Sequence, residues 1–321
     1  MKTKFVSLIC ALIVLMALIA PAFAGEDEMY VPENLTVIDS GTTEISTVVF
    51  NEYDFIEEQL SKSTNQLVSE GYNLEEIREF SSYADNFREH LENLNSSYSD
   101  DKLKSLGYGD EAIQTIRNLD SAQDLSIASA TCTIQTHADW IRGYYPNGSP
   151  ESSAILYYEY SWNVKPFSNL TEALGIGWES SPSTFHVDPN YNITAEIWYW
   201  IEDLSQWDEV FYYNNWSQVD GMYTRGIFYP LVQNDQPGPL GSYAKEGEGS
   251  IRLRASALMP DDGIMDIYFS YIHQKHDVTG SIGLSFGGIP TPSIGMGFSL
   301  TPDANAADAY HANPIHIIFG Q

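Results

Sequence analysis

The chain has 321 residues, with 15 Lys and Arg against 44 Asp and Glu, a formal charge of −29 at pH 7. So acidic a surface is repelled by phosphate backbones, which excludes nucleic acid as a partner, and by anionic lipid headgroups. The two cysteines, Cys10 and Cys132, leave no room for a disulfide-built scaffold.

The N-terminus reads as an export signal over residues 1–24. Lys2 and Lys4 precede an apolar run from Phe5 to Ile19, and Ala22-Phe23-Ala24 is a small-x-small cleavage site before Gly25. The run is short for a membrane span, and no later segment reaches the roughly 18 apolar residues a spanning helix needs. The expectation is a secreted protein, extracellular or associated with a cell surface. Cys10 leaves with the signal, so Cys132 stays alone. It is in phase with Ile134 in an alternating run, the pattern of a buried small hydrophobe.

Residues 25–50 are acidic and read as a linker or an edge strand. Over 51–120 the period changes. Leu60, Leu67, Leu74, Ile77, Phe80, Tyr83, Phe87, Leu91 and Leu94 recur at spacings near three, four or seven, which predicts several helices. A short internal repeat lies within them, Leu67–Ile77 matching Leu103–Ile113 at an offset of 36. Each copy ends a helix at a glycine, Gly71 or Gly107, suited to a left-handed cap. Asn73 and Asp110 then serve as the next helix's N-cap. Residues 121–130 are small and polar and read as a linker.

From 131 to 321 the pattern is β, giving an α+β fold class: a helical hairpin segment followed by an aromatic-rich antiparallel β-sandwich. Between Tyr157 and Tyr229 lie six of the seven tryptophans, the composition of a pleated, half-buried surface. Turn signals at Pro146-Asn147-Gly148, Asp261-Asp262-Gly263 and Pro290-Thr291-Pro292 separate the strands. Gln233–Gly249, rich in Gly and Pro, reads as a long loop. In Ile197-Trp198-Tyr199-Trp200-Ile201 both faces of a strand are bulky, so one makes core and the other is covered or left as an aromatic surface.

Several residues invite chemistry. Gly283-Leu284-Ser285-Phe286-Gly287 matches a nucleophile elbow, but the alternation runs a strand through it where the elbow needs a strand-to-helix turn. His273, His276, His311 and His316 are candidate metal ligands, although His273 and His276 fall on opposite faces of a continuing strand. Calcium is a possible cofactor through Asp261, Asp262 or Asp303. Glu159, Glu196 and Glu209 sit among aromatics, as the carboxylate pair of a glycoside-active enzyme would. Six N-x-S/T sequons lie at Asn34, Asn95, Asn147, Asn169, Asn192 and Asn215. Trp198, Trp200, Trp207 and Trp216 are candidate platform residues for stacking on a sugar. An alternative reading is membrane activity through the hairpin Ser281–Thr301, where Ile294, Met296 and Phe298 alternate with small residues.

Tyr158-x-Tyr160-x-Trp162, Pro166, Leu170-Thr171 and Ile176-x-Trp178 together resemble a pattern in secreted prokaryotic proteins, including the bacteriocin-like geobacillin group. The likeness covers about 25 residues closely and carries no catalytic motif. It implies an extracellular protein acting on other cells. The residues themselves point to a non-enzymatic binding or interaction protein whose partner is an extracellular glycan or another cell-surface component.

Overall fold

The structure is a computed structural model. It describes residues 31–119, 125–167, 171–188, 194–201, 206–212, 222–223, 226–232, 242–255, 257–274, 284–286, 298–300 and 307–320. Residues Thr36–Gln321 form one compact unit, which holds every described helix and strand.

Five α-helices are described: α1 Asp54–Ser61, α2 Thr64–Glu70, α3 Leu74–Ser97, α4 Asp100–Ser105 and α5 Asp110–Arg117. The long one, α3, buries Phe80, Tyr83, Phe87, Leu91 and Leu94, spaced three or four apart, so one stripe faces inward. Leu60 on α1 and Leu74 at the start of α3, which share the apolar period, are exposed. The two copies of the repeat close alike. Gly71 and Gly107 have φ of 106° and 104°, and the amides of Tyr72 and Tyr108 reach back to the carbonyls of Leu67 and Leu103 at 3.1 Å. Asn73 caps α3 by accepting from the Glu75 amide at 2.8 Å. In the second copy the cap falls at Gly109, the counterpart of Asn73 and one residue before the expected Asp110. Gly109 occupies it without a side-chain bond, and Asp110 pairs with Lys104 at 2.8 Å.

The strands are β1 Thr36–Thr42, β2 Ser46–Asn51, β3 Thr131–Tyr144, β4 Pro150–Trp162, β5 Thr171–Ser181, β6 His186–Val187, β7 Thr194–Ile201 and β8 Gln206–Tyr212. They continue as β9 Met222–Tyr223, β10 Gly226–Val232, β11 Ser242–Ala255, β12 Ile264–Gln274, β13 Leu284–Phe286, β14 Phe298–Leu300, β15 Ala307–His311 and β16 Ile315–Ile318. Among the described residues they form two open antiparallel sheets and a separate pair. The larger sheet runs β1-β3-β4-β11-β7-β8, with β2 also on β3 and β6 on β11. The smaller runs β15-β12-β5-β10-β9, with β16 also on β12, and β13 pairs with β14. The fold is therefore α+β with antiparallel sheets. The loop expected over Gln233–Gly249 is corrected from Ser242 onward, where β11 begins and pairs on both sides with β4 and β7.

Period-two alternation decides which side of β4 is core. Leu156, Tyr158, Tyr160 and Trp162 are buried and meet the smaller sheet, whereas Tyr157 and Ser161 point the other way and are half-buried. Tyr158 stacks on Phe269 with centroids 4.9 Å apart, and the Trp162 indole N–H donates to the Tyr271 hydroxyl at 3.1 Å. Such pairs add to what burial alone supplies. The helices join the same core. Phe50 at the end of β2 packs edge-on against Trp162 at 5.7 Å, and Tyr53 stacks on Phe87 at 4.8 Å. Glu52, fully enclosed there, accepts from the Tyr83 hydroxyl at 3.2 Å and the Phe167 amide at 2.9 Å. Cys132 is buried on the inner side of β3.

Candidate functional site

The outer face of the larger sheet collects the polar and aromatic residues that the inner face excludes. Antiparallel register partners share a face, so the strand pairing defines rows of side chains across the sheet. One row crosses Gln135 (β3), Glu159 (β4), Glu248 (β11) and Glu196 (β7), three carboxylates on three adjacent strands. The next crosses Thr133, Ser161, Glu246 and Trp198, and on the far side lie His137, Tyr157, Ser250 and Thr194. Glu248 is exposed, while Glu196, Glu246, Trp198 and Tyr157 are half-buried. His137 lies flat on Tyr157, 4.8 Å between centroids and 14° between planes.

Two devices shape this face. A bulge between Ala244 and Glu246 lifts Lys245 out of register, and its ammonium sits 4.6 Å from the centre of the Trp200 ring. On the inner side, Gly247 and Gly249 make room for the Tyr160 and Tyr158 rings, so β11 lies close to β4 while its glutamates face outward.

Glu159 is the unusual member. It is only 8% exposed, and its Oε2 finds no hydrogen-bond partner among the described residues. Burial first, then the charges of Glu248 and Glu246, push its carboxyl up to about 7. Burial raises Glu246 as well. The folded state thus holds the Glu159 proton more tightly than the unfolded chain does. The penalty for ionising it is absent below the ordinary 4.5, grows up to about 7 and is complete above that. Glu159→Gln, which cannot ionise, is expected to resist urea better than the parent at pH 8, by on the order of 2 kcal/mol. The advantage disappears at pH 4. An equal difference at both pH values would remove the ionised carboxylate from the account.

The candidates named from sequence fall in different places. Trp198 and Trp200 stand on the outer side of β7, half-buried, while Trp140, Trp162 and Trp178 belong to the core. Trp207 is the register partner of Trp200, and Trp216 lies outside the described residues. Glu159 and Glu196 come together in one row, and Glu209 lies on β8. Glu246 and Glu248 escape sequence reasoning because their glycine neighbours read as loop. The strict Glu-Gly-Glu-Gly alternation is the signal that could have found them.

The histidines are spread along the smaller sheet. His273 is the register partner of Asp308 and Glu172, and His311 that of Ser270. His316 lies opposite Asp266 and pairs with it, Nδ1 to Oδ1 at 2.5 Å. Asp266 is seven residues from His273 along β12, about 23 Å in a strand. His276, Asp303, Ile294 and Met296 lie outside the described residues, and Phe298 pairs with Phe286 in β13–β14. Ser285 sits mid-strand in that pair. Asp261 is committed to Arg142 at 2.6 Å. Among the described residues, no group of three or more His, Cys, Asp or Glu side chains is placed to hold a metal ion.

No protein-family model matches the chain, and no curated protein matches it. Among solved structures it is similar to one from work on the pH-induced modulation of Streptococcus parasanguinis adhesion by Fap1 fimbriae, at 10% identity and a TM-score of 0.23. That match covers 58% of this chain and 82% of the other. A second comes from work on manganese lipoxygenase of Gaeumannomyces graminis and zonadhesin of Komagataella pastoris, at 9% identity and a TM-score of 0.19. It covers 59% of this chain and 63% of that one. Similarities this slight carry no argument.

Proposed function

We propose that the chain is an exported, non-enzymatic binding protein that holds an extracellular or cell-surface glycan on the outer face of its larger sheet. The two sheets, in this reading, are the layers of a β-sandwich, an arrangement supported by the Tyr158–Phe269 and Trp162–Tyr271 contacts between their inner faces. The observation that carries the function is the solvent side of β7 and its neighbours. There Trp198 stands half-buried beside Glu246, in one row with the hydroxyls of Ser161 and Thr133 and next to the row of glutamates. An indole offers a flat apolar surface to the C–H face of a sugar. Carboxylates, hydroxyls and the Gln135 amide are the partners sugar hydroxyls use.

A protonated Glu159 beside Glu248 also has the ingredients of an acid and nucleophile pair. Enzyme sites are concave, however. The described cavities lie elsewhere, one of about 400 Å³ between α3 and the segment after β4, the other of about 420 Å³ between the β1–β2 corner and β16. Neither cavity is lined by a residue of the glutamate row, and the binding reading stands on that row and Trp198.

The test is a glycan array followed by titration of intrinsic fluorescence. Trp198→Ala is expected to weaken whatever glycan is captured by about tenfold, with an unchanged circular dichroism spectrum because the ring is outside the core. A variant that binds like the parent, or an array on which nothing is held, overturns the reading.

A further inference from the structure

The same face has a chemical preference that narrows the ligand class, and the narrowing rests on the glycan reading. We propose that the glycan is cationic, a chain of amino sugars carrying free amino groups.

Glu159, Glu248 and Glu196 are successive register partners on β4, β11 and β7. Neighbouring strands lie about 4.8 Å apart, so the row spans about 10 Å. Glu246 stands one row away beside Trp198. Like charges side by side on adjacent strands repel. The inner end of the row is the decisive part. Glu159 is more than nine-tenths buried, and an acceptor oxygen of its carboxyl is left without a donor among the described residues. Native structures rarely leave a buried polar atom so placed unless a ligand, ion or water completes it. The charged groups that act on Glu159 most strongly, Glu248 and Glu246, are themselves carboxylates.

A divalent cation does not suit the geometry. Calcium or zinc needs its oxygen ligands converging on one point at about 2.0–2.6 Å, and no such convergence exists among the described residues. Carboxylates strung out in a line instead match ammonium groups spaced along a polymer, each donating charge-assisted hydrogen bonds. A lysine-rich peptide has ammonium groups too, but the surroundings favour a sugar. Trp198 presents a flat ring next to the row, and Thr133, Ser161 and Gln135 supply neutral donors and acceptors that hydroxyls can use.

Four probes separate the possibilities by calorimetry on the full chain: a glucosamine oligosaccharide, its N-acetylated counterpart, a neutral glucose oligosaccharide and an oligolysine. The glucosamine chain is expected to bind about tenfold or more tightly than the acetylated one, a difference of one charge-assisted contact. Glu159→Gln and Glu248→Gln should each remove most of that difference. Glu248 is exposed, so its variant keeps the test valid if Glu159→Gln perturbs folding. Acetylated or neutral chains binding as well as the glucosamine chain would overturn the cationic preference and leave the glycan face standing. Oligolysine binding equally would reduce the row to a general cation surface and overturn the proposal. Failure of every saccharide would take the glycan reading down with it.

Discussion

Glu151→Ala is expected to lower the unfolding free energy by about 3–5 kcal/mol, the usual consequence of removing one partner from a buried ion pair. Glu151 is fully enclosed near the start of β4 and receives two arginines. The Arg252 guanidinium reaches one carboxylate oxygen at 2.8 Å, and Arg254 Nε reaches the other at 2.7 Å. Arg252, 5% exposed, also holds Asp188 at 2.9 Å and donates to the Ser153 hydroxyl at 3.2 Å. The network ties β4 to β11 and to the segment after β6, whose Asp188 amide donates to the Arg252 carbonyl at 3.0 Å. Removing Glu151 leaves the charge of Arg252 in a buried site, with Asp188 as its remaining carboxylate among the described residues. Arg254 is a third exposed, so Arg254→Ala is expected to cost much less, about 1 kcal/mol or below. Urea unfolding of the two variants at neutral pH measures both. A loss below about 1 kcal/mol for Glu151→Ala would mean that water reaches the site and that the network is not a closed one.

How much of this fold is legible in the sequence depends on whether a residue's partner is local. The inward stripe of α3 can be read because helical period fixes which residues share a face, and both glycine caps can be read because the same signal occurs twice. What period cannot give is how far the opposing surface extends, and Leu60 on α1 and Leu74 at the start of α3 accordingly keep the apolar period yet face solvent. The strand Ile197–Ile201 shows the matching limit for sheets. Alternation separates Trp198 and Trp200 from Tyr199, but which set turns inward is decided by tertiary packing, which alternation within one strand does not contain. The carboxylate row is hidden for the same reason. Glu159, Glu196 and Glu248 are brought side by side only by the pairing order β4-β11-β7, in which the central strand is the last in sequence.

The strand that joins them reads as loop because of its glycines, and those glycines carry the other large expected effect. Gly249→Ala is expected to destabilise the fold by about 2–3 kcal/mol, at the upper end for overpacking. A methyl group there would stand 2.2 Å from the Thr194 carbonyl oxygen and 2.3 Å from the Tyr158 hydroxyl. The first of these belongs to the backbone of the neighbouring strand and cannot rotate away. Gly247→Ala meets a different obstacle, the Tyr160 ring, with its nearest carbon at 2.3 Å and no backbone atom among the closest three. Trimming the ring should therefore relieve one variant and not the other. In thermal or urea unfolding, Tyr160→Leu combined with Gly247→Ala is expected to cost less than the sum of the two single changes by about 1 kcal/mol. Tyr158→Leu combined with Gly249→Ala should stay close to additive, because the clash with the Thr194 carbonyl survives. If Gly249→Ala proves neutral, β11 does not lie between β4 and β7 at the separation described, and the row of glutamates on its outer face loses its basis.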